Sequence, residues 1–445
     1  MSLWKLKKSG CRNINNLERR DKSRLYEGRD ASRPYKEEKM RIQPFAALRP
    51  QKGTEKDVAS VPYDVLNTAE ATELSKGNPK SFLHIVRPEI DLPLDTDIYS
   101  DAVYNKLAEN FKSFIDNKIL VRESAPCLYV YKQKMGEHEQ SGIVTCCNVE
   151  DYENGLILRH EKTRQDKEDD RTRHVETIKA NTGPVFLTYK EQNAIDEVVE
   201  KIEKTEPLFD FVAADGIGHT VWKVEDTAEL VSLFEDVPVF YVADGHHRSA
   251  AAARAGAQAK VNNPNHTGEE EYNWYEAVVF PANQLKILPY NRTVKDLNGL
   301  SSEEFLVKVK EKFNVVDGAS AEPACANSMS MYLDGKWYGL SWNDAPKDDP
   351  VEALDVSYLT TNLLNPILDV GDLRTTKRVD FVGGIRGTKE LEKRVDSGEW
   401  AVAFSMYEVS VDQMMAIADA GCIMPPKSTW FEPKLRSGLL VHSIQ

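Results

Sequence analysis

The sequence has no G-x-x-x-x-G-K-[ST] loop, no protein-kinase signature set and no G-x-G-x-x-G turn. Their absence removes the most familiar frames for holding phosphates and dinucleotides. It has no C-x-x-C pair either. Six cysteines (Cys11, Cys127, Cys146, Cys147, Cys325, Cys422) are scattered along the chain, which fits neither a zinc-site spacing nor a dense disulfide framework. They read as reduced thiols of a cytoplasmic protein. No apolar run approaches about 18 residues, so no transmembrane helix is expected. Positive charge is in deficit, with 57 Lys and Arg against 71 Asp and Glu and a net charge of −14. That weighs against a general nucleic-acid binder, although a local basic groove stays compatible with it. No internal repeat and no low-complexity tract of consequence is present.

What remains is a chain of 445 residues, 41% hydrophobic and 29% charged, enough for two or three globular domains. Residues 1–39 hold twelve Lys and Arg against six Asp and Glu. They lack a periodic apolar pattern and read as a basic, disordered extension or as the product of an early start codon, with Met40 opening the compact sequence. Residues 40–150 form an α+β region. Within it, Val103, Leu107, Phe111 and Ile115 recur one helical turn apart and predict an amphipathic helix. Residues 151–290 carry the two most polar constellations, and 291–445 read as an α/β domain. There, 378–421 alternate strand, helix, strand, helix, with Gly breaks where the period switches.

The first constellation lies in "FYVADGHHRSAAAARAGAQ", Phe240 to Gln258. An apolar, β-prone run over 237–243 meets an alanine-rich helix over 249–260. The tight turn between them is Asp244-Gly245-His246-His247-Arg248. A helix N-terminus presents unpaired amides and the positive end of the dipole. Gly245 lets backbone approach a ligand, and Arg248 with two histidines adds donors, which together suit a phosphate. The residues alone leave two other readings open: a plain cap by Asp244 with surface histidines, and a metal site.

The second constellation is "LRHEKTRQDKEDDRTRHVETIKANTGPVFLTY", 158–189. His160 and Glu161 follow an apolar run, where catalytic groups often project from a scaffold, and a helix is expected from about Arg171. Asp169, Asp170 and Arg171 suit either mutual ion pairs or support of a ligand or magnesium. A solvated charged face is the bland alternative. The third is "IMPPKSTWFEPKLRSGLL", 423–440, where Lys427, Ser428 and Thr429 suit a small carboxylate or phosphate, or an ordinary loop. "VPYDV" (61–65) and "FVGG" (381–384) read as turn and bend.

In this order the three constellations resemble the free serine kinase family of the ParB/sulfiredoxin-like superfamily. "VADGHHR" with its Ala-rich helix resembles that family's nucleotide-phosphate loop. "RHEKTRQDKEDDRTRHVETIKANTGPVFL" resembles its proline-His-Glu-Gln segment, with Lys162 in place of the glutamine. "MPPKST" resembles its C-terminal proline-lysine-threonine-threonine loop. The narrower likeness covers about 151–445. From Met40 onward the chain also looks like a bacterial family of unknown function marked by "PYDV", "HE-T", "DR", "ADGHHR" and "MPPKST". The resemblance implies an α+β protein with a ParB/sulfiredoxin-like nucleotide-binding core over 151–290. It implies a cytoplasmic kinase that moves a phosphoryl group from ADP or ATP, with Mg2+, to the hydroxyl of free L-serine. Glu161 would be the base, with His160 beside it. Asp244, Gly245, His246, His247 and Arg248 would hold the nucleotide, and Lys427, Ser428 and Thr429 the substrate. The alternatives are a nucleotide-binding regulatory or ParB-like protein, and a nucleotide hydrolase or a kinase for another small alcohol.

Overall fold

A computed structural model describes residues 39–346 and 348–445. The extension expected over 1–39 therefore lies outside the described residues, Lys39 excepted. The described chain divides into two compact units, 39–285 with 433–445, and 286–432.

The first unit is built on a nine-stranded mixed sheet. Its order is Ile157–Leu158, Phe240–Asp244, Val185–Tyr189, Trp274–Pro281, His138–Asn148, Leu128–Met135, Gly218–Val224, Phe209–Val212. Ile42–Gln43 pairs with His138–Asn148 beside that path. The central strands read as nearly continuous apolar runs because both faces are covered. Val130, Ile143, Leu187, Val242, Ala277 and Val279 all lie in one core. Two neighbouring pairs are parallel: Phe240–Asp244 with Ile157–Leu158, and Trp274–Pro281 with Val185–Tyr189.

The strands of 128–148 sit in the middle of this sheet, so 40–150 is not a region apart, and no boundary runs at 150. The change of unit falls at 285 rather than 290, and the last thirteen residues return to the first unit. The helix Asp101–Asp116 buries Val103, Leu107 and Phe111 as expected, but Phe114 rather than Ile115 continues the stripe. The helix expected from Arg171 begins at Gln165, with Asp166 and Glu168 in its first turn. Those acids complement the helix dipole, so part of the charged stretch is helix rather than approach.

The second unit carries a six-stranded antiparallel sheet, ordered Asn314–Asp317, Lys336–Ser341, Ser328–Leu333, Val402–Met406, Tyr290–Val294, Val379–Gly383. The helix Thr388–Asp396 sets Leu391 and Val395 against Tyr332, Val382, Trp400 and Ala403. The alternation read over 378–421 is present, ending in the helix Val411–Asp419. The protein is thus α+β, and among the described residues no helix is long and apolar enough to cross a membrane.

Candidate functional site

Parallel strands end at the same edge. The pairing of Ile157 with Phe240 and Leu158 with Tyr241 therefore brings the segment after Leu158, which contains His160 and Glu161, beside the segment after Asp244. The turn there is tighter than the sequence suggests. Gly245 alone, at φ 94°, reverses the chain, and the helix His246–Asn262 takes in both histidines and Arg248 in its first turn. No side chain caps this helix and no acid lies in its first turn, whereas Asn67, Ser301 and Ser410 complete capping boxes elsewhere. The first-turn amides are left for another acceptor.

Asp244 is not that cap. Its Oδ1 accepts from the Gly245 amide at 2.7 Å, and its Oδ2 takes Lys434 Nζ at 2.8 Å. Burial alone would raise its pKa. Lys434 and Arg248 overcome that and hold the carboxyl below the usual carboxylate range. The aspartate is ionised and already neutralised by the lysine.

The histidines do different work from one another. His160 and His246 are buried with their rings perpendicular, 4.5 Å between centroids. Burial pushes His160 down to about 4 and His246 well below the ordinary value, so both are neutral near pH 7. His160 is hydrogen-bonded to the Val242 backbone. His246 Nε2 is buried with no hydrogen-bond partner among the described residues. His247 Nε2 accepts from the Arg164 amide at 3.1 Å, which ties the 160–164 segment to the helix start. Glu161 is half-buried within that tied segment. Arg248 Nη1 donates to the Pro184 carbonyl, while its Nε is buried without a hydrogen-bond partner. The guanidinium folds over the turn: a Cβ on Gly245 would stand 3.1 Å from Arg248 Nε.

Arg248 also lines a small cleft of about 40 Å³ with Tyr63, Arg171, His174, Thr182, Glu276 and Ser437. Arg171 stacks on the Tyr63 ring at 4.1 Å and pairs with Asp170 at 2.8 Å. The other Asp170 oxygen accepts from Tyr104 Oη at 2.8 Å. Both Asp170 oxygens are thus engaged by neighbouring side chains. Asp169 pairs with Arg254 at 2.8 Å. Among the described residues no three His, Cys, Asp or Glu side chains cluster as a metal site.

Lys427, Ser428 and Thr429 belong to the second unit. Ser428 is buried and its hydroxyl donates to the Pro425 carbonyl at 2.7 Å, shaping the loop. Lys427 sits at φ 57°, its carbonyl held by Arg292 Nη2 at 3.1 Å and its Nζ 5.7 Å from the Tyr290 ring centre. Arg292 is fully buried, which lowers its pKa to about 10. Residues that pattern reading passed over are Lys434, Glu276 and Tyr63. Tyr63 lies in "PYDV", which had read as a turn. The other two carry no local signal, since their partners are distant in sequence.

Residues 42–357 match the profile of a family described as "Protein of unknown function (DUF1015)". No curated protein matches the chain. Among solved structures, one similar chain is a conserved hypothetical protein from Pyrococcus furiosus, at 13% identity and TM-score 0.34, covering 67% of this chain and 94% of that one. Another is a free serine kinase in complex with AMP, at 11% identity and TM-score 0.33, covering 67% and 91%. A third is SbnI with a C-terminal truncation from Staphylococcus aureus, at 12% identity and TM-score 0.36, covering 67% and 87%.

Proposed function

We propose that this chain, which belongs to the DUF1015 family, is a phosphotransferase that moves a phosphoryl group from ADP or ATP to the hydroxyl of free L-serine. The observation that carries the reading is the parallel strand pair. It brings the Glu161 segment beside an uncapped helix start where His246 Nε2 and Arg248 Nε are buried without hydrogen-bond partners. The resemblance of "ADGHHR" and the His-Glu segment to the free serine kinase family supports the choice of reaction.

The nucleotide phosphates would lie on the amides of 246–248, with His246 donating and Arg248 supplying the charge. The dipole contributes only about 0.3–1 kcal/mol, so Arg248 and the amides dominate the grip. Bound magnesium would neutralise charge on the phosphates. Metals of this kind are held largely by substrate phosphates and one or two carboxylates. Glu161 would orient the serine Oγ and take its proton. A new Oγ–P bond forms as the bridging P–O bond of the donor breaks, releasing AMP from ADP or ADP from ATP. In a loose transition state positioning outweighs early proton removal.

The test is incubation with ADP and ATP in parallel, with and without a panel of hydroxyl amino acids, followed by phosphorus NMR. O-phosphoserine is expected from one donor or both. Glu161→Gln should lower turnover by about 10²–10⁴-fold, the usual worth of a general base, with nucleotide affinity kept. Arg248→Ala should weaken nucleotide binding. Full turnover in the first variant, or unchanged calorimetric affinity in the second, removes these assignments.

A further inference from the structure

The cleft behind Arg248 contains a group that the reading above does not use. Glu276 is the third residue of strand Trp274–Pro281 and is 1% exposed. Neither of its carboxyl oxygens has a hydrogen-bond partner of ordinary geometry among the described residues. The His442 backbone amide lies near enough only to soften the effect of burial, which pushes the carboxyl well above its ordinary pKa. A buried polar group left unsatisfied costs about 1–3 kcal/mol, and an apolar residue would serve the sheet better. The strand itself supplies no structural reason for a carboxyl here.

The surroundings supply a chemical one. Glu276 lines the cleft together with Arg171 and Arg248, and Arg248 is close enough to act on its charge. The cleft thus offers a carboxyl lacking a donor, and the same walls carry the guanidinium groups of Arg171 and Arg248. A ligand that satisfies both carries a cationic donor and an anionic acceptor a few bonds apart. We infer that this cleft is the acceptor subsite and binds a small α-amino acid as its zwitterion, with the ammonium on Glu276 and the carboxylate toward Arg171 and Arg248. The inference rests on the reading of 244–248 as the donor's phosphate turn. Arg248 then faces both reactants, with the acceptor hydroxyl directed toward the turn.

The rival occupant is the nucleotide base. A base gains most from stacking on an aromatic face; that of Tyr63 is covered by Arg171 at 4.1 Å, and Tyr275, which also lines the cleft, is only 1% exposed. A zwitterion needs no such face. It also brings no net charge into a buried site, whereas a carboxylate alone would leave Glu276 without a donor.

The ligand comparison can be made on the unaltered full-length chain by calorimetry. With ADP present and magnesium withheld, so that no phosphoryl transfer consumes the ligands, L-serine should bind about tenfold or more tightly than glycerate, which lacks the ammonium, and than ethanolamine, which lacks the carboxylate. Serine binding should also release a proton, seen as a dependence of the heat on buffer ionisation, because the ammonium draws Glu276 into its charged form. In Glu276→Gln, serine affinity should fall about tenfold, proton release should vanish, and glycerate binding should hold. Its melting temperature reports folding, and the ligand series on the parent decides the matter even where the variant unfolds. Equal binding of serine and glycerate overturns the inference, as does a variant that weakens ADP alone, which would place the base in the cleft. ADP titrated without acceptor separates the two readings. Absent ADP binding removes the phosphate turn, whereas intact ADP binding with no serine preference removes only the acceptor subsite.

Discussion

At the scale of single residues, the candidate site is notable for histidines that carry no charge. His160 and His246 face each other across 4.5 Å in a buried setting, and charging both would set two cations against each other. Arg248 is therefore the cation of the turn, and the imidazoles act as hydrogen-bonding groups. The consequence for stability has a definite sign. His160 titrates near 4 in the folded chain and near 6.5 when unfolded. Between those values the unfolded chain binds a proton that the native one refuses, so stability falls as pH drops from about 6.5 toward 4. The slope is about 1.4 kcal/mol per pH unit for this one group. Asp244 does not blunt it, because that carboxyl stays ionised through the window. Urea melts between pH 7 and pH 5 should show the loss, and His160→Gln should flatten the slope by about that amount. A variant with the parent's slope would mean that His160 is not the neutral, buried group described.

At the scale of elements, the helix His246–Asn262 shows why an alanine-rich segment follows the turn. Ala250, Ala251, Ala252, Ala253 and Ala255 are buried, and short side chains let the helix axis lie close to its neighbours. Gly256 takes this further: a Cβ there would stand 2.6 Å from the Tyr272 carbonyl oxygen. Propensity alone says Gly256→Ala should stabilise by about 1 kcal/mol. The clash is with backbone held in the short helical turn Glu271–Asn273, which cannot swing away, and overpacking of that kind costs about 1–3 kcal/mol. We expect a lower urea midpoint for Gly256→Ala; a higher one would show that the helix has room to shift. Local pattern made this helix and its turn legible, because a β-prone run gives way to an alanine run at one glycine. The same logic found the helix Asp101–Asp116 but placed Ile115 on its buried face. Steps of four residues drift about 40° each on a 3.6-residue helix, so by the third step the stripe has passed to Phe114.

At the scale of the whole molecule, the features least legible in the sequence are those assembled from distant pieces. Glu276 looks like one charge in an apolar run until strands at 138–148 and 185–189 enclose it. Residues 433–445 read as the end of a C-terminal domain, yet they return to the first unit. His442–Ser443 pairs with Ala180–Asn181, Arg436 Nε reaches His219 Nε2 at 3.1 Å, and Lys434 meets Asp244. This return resolves an apparent conflict at the turn. An ionised aspartate beside the proposed phosphate site should repel the ligand, but Lys434, itself 13% exposed, cancels that charge from 190 residues away. Lys434→Met should therefore do two things. It leaves the Asp244 charge partly buried and unpaired, costing about 1–3 kcal/mol of stability, between the values for exposed and fully buried pairs. It also restores the repulsion, so nucleotide affinity should fall about tenfold, equivalent to about 1.4 kcal/mol. Adding Asp244→Asn to Lys434→Met should recover most of both losses, because the uncompensated charge is gone, and the coupling between the two changes is the measure of the pair. Purely additive losses in the double variant would show that Lys434 acts through packing, and that the turn binds phosphate without help from the returning chain.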